Sequence, residues 1–241
     1  MSITLVQQVA AKSVSGGSAT KTFTIAAPAA GSALRLLISS DNLFTISSVT
    51  GGGVTWTQLS VADNTTASHR IWMFGGDNSS GSGTTISVTI SNTYNTFECN
   101  ISEWSGLDTT PVADPSPGSS TGTSNTLSTA TATPTAGKEV LLLAVGGEQS
   151  NTVTNTPSGS FTALSRSGTA TKQGFAYRIV ASASGSYSTT WPAAVSYGTW
   201  VTLIAGWDGA AAAGGHPAVA RMGGVGFAHG GHQPATGRMV W

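Results

Sequence analysis

Charge is scarce in this sequence. Asp, Glu, Lys and Arg make up 8% of its 241 residues, where about a quarter is usual for a soluble domain. Ten basic residues face ten acidic ones, so there is no basic field to hold a polynucleotide and no cationic cluster to meet an anionic lipid surface. Neither nucleic acid nor membrane is expected as a partner. The single cysteine, Cys99, excludes an intramolecular disulfide. It alternates with Phe97 and Ile101 and reads as a small buried hydrophobe rather than a nucleophile or ligand. No apolar run reaches the length of a membrane span, and Met1 to Leu5 carries no basic signal-peptide start. Catalytic signatures are missing as well. There is no Gly-x-Ser-x-Gly elbow, His69 stands without a triad context, and Glu98 and Glu103 lie an odd number apart, so on one strand they project from opposite faces. The expectation is a non-enzyme without cofactor or metal.

Hydroxyls fill the space that charge leaves: Ser and Thr exceed a quarter of the chain. The longest apolar run, Glu139-Val-Leu-Leu-Leu-Ala-Val145, has the length of a strand, and its apolar residues fall on both sides of the pleat. That pattern describes a central strand covered on both faces. The order of features around it occurs twice. Leu34 to Ile38, Thr57 to Ser60, Ile71 to Met73 and Ile101 to Gly106 return as Leu141 to Leu143, Thr162 to Ser165, Ala176 to Arg178 and Ile204 to Gly209, at a spacing of about 103 to 105 residues. This predicts an all-β fold, a jelly-roll-like antiparallel β-sandwich over residues 1–208 built from two related halves, 34–106 and 139–209. The proposed equivalences place Leu36 over Leu141, Trp72 over Tyr177 and Trp104 over Trp207. Arg35, where the second half has Val140, predicts a strand with one face or end in water, and its replacement by Ala is expected to cost little. Asp41-Asn42, Asp63-Asn64 and Asp77-Asn78 read as turn chemistry rather than calcium ligands. The seven Trp are read as packing residues more than as sugar platforms; an exposed aromatic row beside Asp or Asn would reverse that reading.

Gly53-Val-Thr-Trp-Thr57, Glu103-Trp-Ser-Gly-Leu-Asp108, the proline-punctuated 107–117 crossing, Glu139 to Val145 and Phe175-Ala-Tyr-Arg-Ile-Val180 come in an order that resembles jelly-roll sandwich domains of phage virion proteins, capsid decoration and tail-associated proteins among them. Similar domains occur in bacterial surface proteins. The resemblance covers roughly residues 20 to 208 and implies a structural role in attachment, decoration or a tail, in a protein assembled in the host cytoplasm and carried in the virion. It brings no catalytic residues. The implied partners are other virion subunits, a major capsid or tail protein, with a homo-oligomeric state left open. The alternative is a tail or fibre component that binds host surface glycan.

After Asp208 the composition breaks. Residues 209–241 hold nine glycines, three of the four histidines, two Arg and no acid. They read as an extended glycine-rich C-terminal arm. Large side chains at spaced points along it, Arg221, Met222, Val225, Phe227, Arg238, Met239 and Trp241, are its expected partner-binding residues, since a solvated linker needs none of them. His229 and His232 lack the Cys or acid neighbours that a metal site would want.

Overall fold

A computed structural model of the chain describes residues 2–13, 18–66, 68–92, 97–109, 113–148, 152–168, 172–192 and 198–210. These contain fifteen strands and no helix, arranged in four antiparallel sheets. The first unit comprises β1 (Thr4–Lys12), β2 (Thr20–Thr24), β3 (Ala33–Ser40), β4 (Ile46–Gly51), β5 (Thr55–Asn64), β6 (His69–Asp77), β7 (Thr85–Ile90) and β8 (Glu98–Ser105). Its sheets run β1-β8-β3-β6-β5 and β2-β7-β4, the eight-strand alternation of a jelly roll. The second unit comprises β9 (Gly118–Thr123), β10 (Thr126–Ser128), β11 (Val140–Glu148), β12 (Thr162–Ala163), β13 (Gln173–Val180), β14 (Thr190–Pro192) and β15 (Thr199–Asp208). Its sheets run β12-β13-β11-β15-β9 and β10-β14. Strand for strand this is the first unit's order. The counterpart of β4 is reduced, among the described residues, to two backbone hydrogen bonds to β14, the Thr154 N–H donating to the Pro192 carbonyl at 2.8 Å and the Ser158 N–H to the Thr190 carbonyl at 3.0 Å.

The duplication therefore lies one level higher than two Greek keys sharing a sandwich. Each unit carries its own two-layered sandwich, and the units meet through their five-stranded sheets, giving four layers. Three cores result. The middle one joins Leu37, Ile71, Met73 and Trp104 of the first unit to Leu141, Leu143, Val145, Phe175, Leu203 and Trp207 of the second. The outer face of the first large sheet gives Leu34, Leu36, Ile38, Trp72, Phe74 and Cys99 to its three-stranded partner, and Leu142, Ala144, Ala176 and Ile204 meet Leu127 and Trp191 on the far side. All nine residues of β11 are buried, because the strand lies between β13 and β15 with a core on each face. The apolar run of the sequence is thus the centre of its sheet. Each unit also takes in strands ahead of the 34–106 and 139–209 spans, β1 and β2 in one, β9 and β10 in the other.

Residue register is where the sequence reading is corrected. Leu36 faces the outer core of its unit and Leu141 the middle one, and Trp72 and Tyr177 are divided in the same way. Those pairs lie on matching strands but on opposite faces, since a shift by an odd number of residues turns every side chain over. Trp104 and Trp207 do correspond. Trp104 pairs with Ala33 and Trp207 with Leu141, so the counterparts of Leu34, Arg35 and Ser39 are Leu142, Leu143 and Gly147.

Arg35 is the second correction. It is wholly buried on the middle face, where its Nη2 lies 2.8 Å from Asp77 Oδ1 and its guanidinium stacks 4.7 Å over the Trp207 ring of the other unit. Nη1 donates to the Leu34 carbonyl at 2.9 Å. The residue paired with it on β6 is Gly75, where a Cβ would stand 3.3 Å from Nη1, so the glycine provides the space in which the guanidinium lies. The charge marks a joint between layers and not a wet strand end.

Candidate functional site

Residues Arg221, Met222, Val225, Phe227, Arg238, Met239 and Trp241 lie outside the described residues. Within the described ones, many of the polar and ionisable groups act as ties. Around the apolar middle core runs a ring of contacts between units: Lys172 Nζ to Asp41 Oδ2 at 2.8 Å, Asn64 Nδ2 to the Trp200 carbonyl at 3.1 Å, Asn100 Nδ2 to the Ser165 carbonyl at 3.1 Å, and the Ile3 N–H to Glu139 Oε2 at 3.1 Å. Within the first unit, Glu103 takes the Ala29 N–H at 2.7 Å and the Gln7 amide at 2.6 Å. A dry centre with a hydrogen-bonded rim is the anatomy of a durable interface.

His69 lies inside that ring. Its Nε2 is 2.9 Å from Ser39 Oγ, Nδ1 is buried without a partner among the described residues, and both Ser39 and His69 are fully covered. Gly147 of the second unit presses on the pair: a Cβ there would stand 1.9 Å from Nε2 and 2.5 Å from Ser39 Oγ. Sealed by the other unit, the dyad has no approach for a substrate. Burial lowers the imidazole pKa to about 4, with Lys172 adding to that effect and Asp41 opposing it. Between pH 6.5 and 4 the unfolded chain takes up a proton that the folded one refuses, so stability falls as pH falls through this window, by about 3 kcal/mol in all. The Glu98 carboxyl, raised by burial against the pull of Lys12, offsets part of this loss at the acid end. Urea unfolding at pH 7 and pH 4.5 is expected to show the loss, and His69→Gln to flatten it; an unchanged slope in that variant would assign the effect elsewhere. Cys99, 1% exposed in the outer core of the first unit, has its thiol pKa raised by burial, which keeps it inert.

A lateral opening with mixed chemistry lies in the first unit. Among the described strands of the first unit β5 pairs only with β6, leaving β4 and β5 as the facing edges of two sheets. They diverge from the turn Gly51-Gly52-Gly53, whose φ values of 96°, 69° and 67° suit glycine alone. The mouth between them holds two adjoining cavities, of about 450 Å³ and about 270 Å³, that share Ile46 and Gln58. The β4 side gives Thr45, Ser47, Ser48 and Val49, the β5 side Trp56, Val61 and Asp63, and β6 the floor of Phe74, Trp72 and Arg70. Both ends are tied. The Trp56 indole N–H donates to the Gly51 carbonyl at 3.0 Å; at the other end Arg70 reaches the Phe44 carbonyl at 3.0 Å and Asp63 at 2.6 Å, while its Nε stays buried and unpartnered among the described residues.

This groove was not among the sequence expectations, though Trp56, Trp72 and Asp63-Asn64 were named. Trp104, Trp191, Trp200 and Trp207 are buried packing residues, and Trp72 is 2% exposed. Trp56 is half-buried, the one described Trp that keeps substantial surface. No family model matches the chain, and neither a curated protein nor a solved structure matches it.

Proposed function

We propose that this chain is a non-enzymatic structural protein of a phage virion, a capsid decoration or head-attached subunit. The observation that carries the reading is where its few charges are placed. Arg35 and Asp77 lock two layers beneath Trp207, Lys172 and Asp41 bridge the units, and Glu103 and Glu139 hold backbone amides, so ionisable groups are used to join layers and the exterior is left mainly to hydroxyls. A rigid, nearly neutral body of this kind suits a subunit that must persist on a particle. Attachment is assigned to Arg221, Met222, Val225, Phe227, Arg238, Met239 and Trp241, each apolar member of which can bury area worth roughly 1.5 to 3 kcal/mol, against an ordering cost of about 1 to 2 kcal/mol per residue for the backbone between them.

Truncation at Ala210 tests this assignment. The truncated body should keep its thermal midpoint within about 3 °C and fail to co-sediment with particles that retain the full chain. Normal assembly of the truncated protein, or its unfolding, would refute it. A second reading, a tail or fibre component that recognises host carbohydrate, is favoured by the lateral groove.

A further inference from the structure

We infer that the mouth between β4 and β5 is a binding groove for a neutral oligosaccharide, with Trp56 and Gln58 as its principal contacts; the inference deepens the carbohydrate reading and names its site. Three observations support it. The first is an internal control. The second unit has the same strand order, yet at the matching position the chain fills the space itself: Val153 and Phe161 enter the outer core beside Leu142, Ala176 and Trp191, and Asn155 Nδ2 ties across to the Leu164 carbonyl at 2.9 Å. Among the described residues, the second unit's counterpart segment is tied down onto its own sheet, where β4 and β5 of the first unit diverge.

The second is lining chemistry. Along β5 the outward residues are Trp56, Gln58, Val61 and Asp63, a span of roughly 23 Å at the ordinary strand rise, and opposite them stand Thr45, Ser47 and Ser48. Gln58 is exposed where the two cavities join. Arg70 and Asp63 neutralise each other, so the groove has no net charge to offer a phosphate or an acidic peptide. With its N–H satisfied by Gly51, the Trp56 ring offers an apolar surface fixed in position. Alternating hydroxyl or amide donors and apolar faces match a pyranose chain, which carries hydroxyls on its edges and C–H groups on its faces. A volume of about 450 Å³ is that of a small-ligand site.

The third observation separates a sugar from an extended peptide, the other occupant that two facing strand edges suggest. Each edge is broken inside the groove, β4 by a register shift between Ile46 and Ser48 and β5 by one between Gln58 and Ser60. Bulges twist an edge out of line and spoil the ladder that an added strand needs. Side chains, not backbone, are left to make the contacts.

The test uses the full chain with maltohexaose, cellohexaose, chitohexaose and an array of bacterial surface polysaccharides, and a Thr-Val repeat octapeptide as the peptide probe. Saturable binding to at least one glycan is expected, with a shift of the Trp56 indole N–H resonance. Trp56→Ala and Gln58→Ala should each weaken it at least tenfold, and Gln58→Ala, at an exposed position, should leave the thermal midpoint unchanged. Glycan binding that both variants leave intact would overturn the groove and keep the carbohydrate reading. Binding of the octapeptide in place of any glycan, or of no probe at all, would overturn both; the virion assignment, tested by sedimentation, is independent of either result.

Discussion

Arg35→Ala should cost about 3 to 5 kcal/mol, the range for removing one partner of a buried ion pair, and lower the thermal midpoint by about 10 °C. The loss has two sources. Asp77, with a side chain 6% exposed, is left in a buried site without its partner, and Trp207 loses the cation stacked on its face. Burial lowers the Arg35 pKa while Asp77 holds it up, so the ion pair mainly offsets the cost of burying the guanidinium rather than giving a large net gain. That distinction can be tested. Arg35→Met with Asp77→Val replaces both charges with apolar groups and should recover most of the loss, because the cost of a buried pair falls mainly on the partner left behind. Urea unfolding of the three proteins decides it. A loss below 1 kcal/mol in Arg35→Ala would mean that water reaches Asp77.

Leu143→Ala is expected to cost about 2 to 5 kcal/mol, through the transfer energy of the lost side chain and the cavity it leaves. Leu143 is fully buried and lies in mid-strand between Tyr177 on β13 and Ala205 on β15. Its side chain belongs to the core that both units share, so the variant should loosen the interface as well as its own sheet. Amide exchange would distinguish the two effects: faster exchange in β3 and β6 of the first unit is expected alongside β11. A change confined to the second unit would show that the middle core does not couple them.

The fold class was legible because burial writes itself into composition along a strand. Val140 to Val145 are apolar on both sides of the pleat, and only a strand with two cores needs that. The repeat was legible as an order of strands but not as a register. Connections of unequal length let strands correspond without a constant spacing, and an odd error moved Leu36 and Trp72 to the wrong face. Arg35 misled for a related reason: a lone charge in an apolar run signals water unless its partner is known, and Asp77 is 42 residues away in sequence. The groove was the least legible feature. Its walls are adjacent in sequence, and nothing in β4 or β5 says that they diverge instead of pairing. The one local signal was Gly51-Gly52-Gly53, whose first member would place a Cβ 1.9 Å from the Thr85 carbonyl oxygen.

Gly147 against His69 bears on how such a chain avoids assembling with itself wrongly. With Trp104 and Trp207 as counterparts, the first unit's equivalent of Gly147 is Ser39. Two first units brought face to face would therefore set a serine Cβ where the present geometry leaves 1.9 Å to the imidazole. Such a pair is sterically barred, whereas the unlike pair fits. Chains crowded together during synthesis share nearly identical sheet orders and so run the risk of exchanging units. A single missing side chain thus removes the pairing of two first units from those that such an exchange could form.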